Sequence, residues 1–149
     1  MRGGDISATV SPRFVVVFED LLGFPPKEPV HTRTRLGRKV DHSNDARYWE
    51  INDQLARSIW DVVSRYDYSV DVVTFIDPEF ADQIRERLDD ERLPVGRVWF
   101  EQPHQLARRL AYSPDIAGVF FASPEYRFTF GSKGYPVDVA SSNLMGALR

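Results

Sequence analysis

No cysteine occurs anywhere in the chain, which excludes disulfides and thiolate metal sites and agrees with a reducing compartment. Histidine is almost as scarce, and His31, His42 and His104 stand too far apart for metal-ligand spacing. No apolar run approaches the roughly 20 residues that span a bilayer. Met1 to Arg13 lacks the apolar core of a signal peptide. Neither sign of charge dominates, since the formal net charge is -3, so composition alone argues for neither a nucleic acid nor a membrane as partner. P-loop, G-x-G-x-x-G and G-x-S-x-G patterns are absent as well. What remains is the expectation of a soluble, cytoplasmic protein without membrane contact.

What is present is ordinary in bulk and informative in one place. A chain of 149 residues, 42% hydrophobic, suits one domain with its own core. Residues 1–12 read as a flexible leader and 13–149 as a single α/β domain. The run Phe14-Val15-Val16-Val17-Phe18 then ends abruptly in Glu19 and Asp20, with Gly23 following. Such a short β-branched and aromatic run reads as a strand buried on both faces, inside a parallel sheet. Acids at the carboxyl end of such a strand sit where open α/β sheets build their sites.

The remaining pattern alternates strands and helices. Pro25, Pro26 and Pro29 forbid regular helix, and His31 to Asp41 reads as an exposed hairpin or flap. Ile51, Leu55, Ile59, Val62 and Val63 keep helical spacing, which predicts a helix between Asp45 and Arg65 capped by Asn44 or Asp45. Val70–Ile76 is a second strand, and Asp77-Pro78 opens a helix to about Glu91. Val95–Phe100 is a third strand, Gln102-Pro103 opens a short helix, and Ile116–Ala122 is a fourth strand. Arg127–Phe130 and Tyr135–Val139 suggest a terminal hairpin or edge element. The expected fold is a three-layer, Rossmann-like parallel sheet of four or five strands with helices on both faces.

The order of these features over Phe14 to Gly134 resembles the haloacid dehalogenase-like superfamily. That family carries Asp-x-Asp-Gly after strand one, a short flap, Thr or Ser ending strand two, a Lys opening a helix, and acids ending strand four. The resemblance implies an Asp nucleophile, an Asp acid/base, Thr and Lys holding the anionic group, and magnesium on the late acid. Here the first motif is Asp20-Leu21-Leu22-Gly23, so the nucleophile position is kept and Leu22 replaces the acid/base. Glu19 is the alternative nucleophile in a shifted register. Thr74 matches the second motif, Gln102 stands in place of Lys, and Ala122 stands where the metal-binding acid belongs. An Asp attacking a phosphate dianion without magnesium or Lys faces uncompensated charge repulsion. Lys133 or Arg97 would have to substitute from elsewhere.

Bland roles stand beside these. Asp20 would accept backbone N–H bonds from the Gly23 turn, Thr74 would be a β-branched strand residue, and Asp77 a helix cap. The acids from Asp77 to Glu91, interleaved with Arg85, Arg87 and Arg92, read as a solvated helix face.

The flap is the second candidate site. Arg33, Arg35, Arg38 and Lys39 fall within nine residues that contain no acid. Strand alternation would place Arg33 and Arg35 on one face, as an anion or phosphate-backbone contact. A solvated hairpin with charged edges is the bland alternative. The sequence therefore leads to a degenerate, capless haloacid dehalogenase-like module that binds or regulates without catalysis. It needs no cofactor, and its partner is a protein or another macromolecule, a nucleic acid through the flap among them. The alternative is a divergent phosphohydrolase using Asp20 and Thr74, and only that one calls for magnesium.

Overall fold

A computed structural model of the chain describes residues 11–28 and 30–148. All but the last two residues of the expected leader lie outside this range, and Pro29 does too. Strands β1 (Arg13–Val17), β6 (Ser69–Thr74), β7 (Val98–Phe100), β8 (Ile116–Phe121) and β9 (Gly134–Pro136) form one sheet in the order β7-β6-β1-β8-β9. Every pairing in it is parallel. The fold is therefore a Rossmann-like α/β sheet. The chain builds outward from β1 through β6 to β7, then returns to the other side of β1 for β8 and β9. The crevice where that order reverses lies between β1 and β8, at the carboxyl ends of the strands.

Parallel neighbours require crossovers, and helices supply them. The longest, α1 (Asp53–Tyr66), buries Leu55, Ile59 and Val62, each contributing roughly 1.5–3 kcal/mol by removal from water. Helix α2 (Pro78–Asp90) buries Phe80, Ile84 and Leu88. Both pack with Phe14, Val16, Val70, Val72 and Phe120 on one face of the sheet, joined there by Leu144 of the short α4 (Leu144–Ala147). Helix α3 (Pro103–Tyr112) covers the other face, where Leu106 and Leu110 meet Val15, Val17, Val73, Val119 and Phe121. Alternate residues of β1 thus enter different clusters, which is why its sequence reads as unbroken apolar. The expected three layers are present.

Several boundaries differ from expectation: the second strand ends at Thr74 rather than Ile76, and the third begins at Val98 rather than Val95. Helix α1 starts at Asp53 with Asn52 as its cap, because Ile51 pairs with Gly23 in a small ladder of β2 (Gly23–Phe24) and β5 (Glu50–Ile51). Asp45 caps a separate 3-10 turn, Ala46–Tyr48. Of the two alternatives for the segment after β8, the edge element is the one present: β9 is a parallel edge strand, and Arg127–Phe130 forms no strand to make a hairpin with it.

Candidate functional site

The strand-one acids follow directly from the geometry of β1. As β1 ends, Phe18–Leu22 winds into one π-helical turn closed by the Gly23 N–H on the Phe18 carbonyl. Gly23 is required by close approach rather than by its dihedral angles, since a Cβ there would lie 2.3 Å from the buried Phe18 ring. The turn rotates Glu19 and Asp20 to opposite sides of β1, and each meets the strand lying there.

Glu19 faces β6. Thr74, fully buried, donates its hydroxyl to Glu19 Oε1 at 2.9 Å. The Phe75 N–H donates to Oε2 at 2.8 Å. Burial pushes the Glu19 carboxyl above its usual range; these donors work against the shift, and the Asp20 charge adds to it.

Asp20 faces β8 across the crevice. Its Oδ2 accepts from the Ala122 N–H at 2.6 Å and the Ser123 N–H at 3.0 Å. Its Oδ1 accepts from the Ser123 hydroxyl and, at 3.2 Å, from the Ser123 N–H. A carboxylate has about four lone-pair sites; three donor groups engage both oxygens, the Ser123 N–H being shared between them. The expectation that Asp20 serves the Gly23 turn is therefore corrected: its donors lie 102 and 103 residues downstream. Position 122 offers an N–H donor where a magnesium site needs an oxygen, so these residues do not fit the metal. Among the described residues, no group of three or more His, Asp or Glu side chains has metal-holding geometry.

The cationic substitutes are elsewhere. Lys133 and Arg97 immediately precede β9 and β7, so in a parallel sheet both lie at the amino edge, opposite the acids. Lys133 Nζ donates to the Leu110 and Ser113 carbonyls at 3.0 and 3.3 Å, closing the end of α3. Arg97 lies over the Trp99 ring, 5.2 Å from its centroid. Gln102 gives its N–H to Gln105 Oε1 in the first turn of α3, and Glu101 pairs with Arg109 at 2.7 Å. Asp77 caps α2 by accepting from Phe80 N–H at 2.7 Å, as expected.

Tyr126 was not legible as part of this region. It sits just past β8, edge-on to Phe75 with centroids 5.4 Å apart. Burial, helped by Glu125, Asp20 and Glu19, pushes its phenol up to about 12. Ser123 was likewise unmarked, because only the strand order places the end of β8 beside that of β1.

The flap is a separate structure. β3 (His31–Arg33) and β4 (Lys39–Asp41) pair antiparallel, with Arg33 opposite Lys39. Thr34 to Gly37 turns the chain, with Gly37 at φ +81, the left-handed position that glycine fills in such loops. Arg35 lies in this turn rather than on a strand, so alternation does not put it beside Arg33. Instead Arg33 reaches the Gly37 carbonyl at 3.1 Å, while Arg35, Arg38 and Lys39 are exposed. Tyr48 stacks on His42 at 4.3 Å, and Trp49 is buried against Phe80 and Phe18. The flap and the strand-end acids are thus distinct candidates. No helix among the described residues is long and apolar enough to cross a membrane. The chain matches no protein-family model and no curated protein sequence.

Proposed function

We propose that the chain is a non-catalytic binding or regulatory module on a core similar to that of haloacid dehalogenase-like proteins. The sheet order, the flap between β1 and α1, and Thr74 beside a strand-one acid support that likeness. The observation that carries the non-catalytic reading is the engagement of both Asp20 oxygens by Ala122 and Ser123. A carboxylate whose two oxygens both accept hydrogen bonds is a weakened nucleophile. Glu19 offers no replacement, since it bridges Thr74 and Phe75 and burial favours its neutral form.

Two measurements on the full chain test the reading: calorimetry with magnesium, and hydrolysis of a generic phosphomonoester. The expected result is no binding heat and no turnover. Turnover that Asp20→Asn abolishes in a variant that still melts cooperatively would overturn it and favour the phosphohydrolase.

A further inference from the structure

The flap has properties that the core does not explain. None of its residues enters either apolar cluster. Its tip residue Leu36 is 89% exposed. Arg33, Arg35, Arg38 and Lys39 form no ion pair with any carboxylate among the described residues; Arg57, Arg97, Arg108 and Arg127 form none either, so what sets the flap apart is four such cations within seven residues. Register places Arg33 directly opposite Lys39, a like-charge pair that costs hairpin stability. The four flap cations belong to a chain of net charge -3, so the remainder carries -7.

We propose that the hairpin His31–Asp41 is a contact surface for the phosphate backbone of a nucleic acid. Unpaired guanidinium groups are suited to phosphate oxygens, which they bind through two parallel N–H bonds. The Thr32 hydroxyl is engaged with His42 Nε2 at 2.7 Å, while the Thr34 hydroxyl accepts from the Arg38 N–H and keeps its own proton to donate to a phosphate. A two-stranded ribbon is also the width that a major groove admits. The rest of the chain carries a net negative charge, so a polyanion is drawn to the flap and repelled on average by the remainder. An anionic bilayer fits less well, because Leu36 is the hairpin's one exposed large apolar side chain, too little to anchor it. This names the partner that the binding reading leaves open, and it is tested separately: phosphomonoester turnover reports on the strand ends, and duplex binding on the hairpin.

The test is fluorescence anisotropy of a labelled 20-base-pair DNA duplex with the full chain, across 50 to 200 mM KCl. Neutralising four phosphates predicts a log–log salt slope of about -3.6, so affinity falls roughly a hundredfold over that range. Replacing Arg33, Arg35, Arg38 and Lys39 together with Gln should abolish the slope and binding at 50 mM while leaving the melting curve unchanged. Replacing Arg57 and Arg65 on α1 with Gln should leave binding within about twofold of the wild type. The proposal is overturned by absence of duplex binding at 50 mM, by equal binding of the flap variant, or by binding to phosphatidylserine vesicles in preference to DNA.

Discussion

The acids that end β1 and the cations of the flap are opposite solutions to placing charge. Glu19 and Asp20 point into the molecule and are consumed by its own donors, from Thr74 and Phe75 on one side and from Ala122 and Ser123 on the other. Arg35, Arg38 and Lys39 point away from it, and Arg33 sits across from a like charge. The first arrangement lends stability to the sheet and leaves little chemistry to spare. The second gives the fold little beyond the Arg33 bond to the Gly37 carbonyl, and that is why the flap carries the proposal of an outside partner. Acids that suggest catalysis in the sequence are here held by backbone and hydroxyl donors of the sheet.

Removing Asp20 should have the largest effect. Asp20→Ala leaves the Ala122 and Ser123 N–H groups without their acceptor, in a half-buried crevice where water replaces it only in part. Such losses cost about 1–3 kcal/mol per group, so the variant should lose about 3 kcal/mol, read from the urea midpoint at unchanged m. Asp20→Asn keeps one acceptor oxygen and should lose about half as much. Wild-type stability in both variants would dissolve the contrast, because the crevice would then be an open site rather than a closed seam.

The legible parts of the molecule were those where one residue's environment is set by its neighbours in sequence. The unbroken apolar run of β1 announced a strand covered on both faces, and Asp77-Pro78 announced the start of α2. The flap was visible as a basic stretch with a Leu-Gly turn. The resemblance put the end of strand four at the same site as Asp20 but read Ala122 as a lost metal ligand; that Ala122 and Ser123 act as donors to Asp20 was not visible, because nothing local to either residue reveals the bond. The start of α1 was misplaced for a similar reason. Ile51 fits the helical period, yet its backbone is claimed by Gly23 from across the flap, a long-range pairing that outweighs local periodicity.

Glu19 sharpens the comparison through pH. Burial raises its native pKa above the ordinary 4.5, so the folded state holds the proton more tightly than the unfolded chain. Its contribution to stability is then fully present below the unfolded value and is lost as pH rises through the native one. Glu19→Gln cannot titrate. The urea-midpoint difference, wild type minus variant, should therefore decline as pH rises from about 4.5 and level off above the native pKa. A difference that climbs with pH would mean that the Thr74 and Phe75 donors outweigh burial.

The smallest effect is expected where the flap is made to obey the rule of the strand ends. Lys39→Glu replaces the like-charge pair opposite Arg33 with an attractive one, worth about 0.2–1 kcal/mol to the hairpin. The flap lies outside both apolar clusters, so this gain should appear as slower amide exchange at Thr34 and Arg38, whose N–H groups bond across the turn. The global urea midpoint should not move by more than about 0.5 kcal/mol equivalent. Duplex binding should fall in the same variant, since one cation is lost and another is neutralised. A hairpin that becomes more ordered while binding less would separate the two uses of charge within a single substitution. A shift in the global midpoint would instead make the flap part of the cooperative fold, and its cations would need a structural explanation.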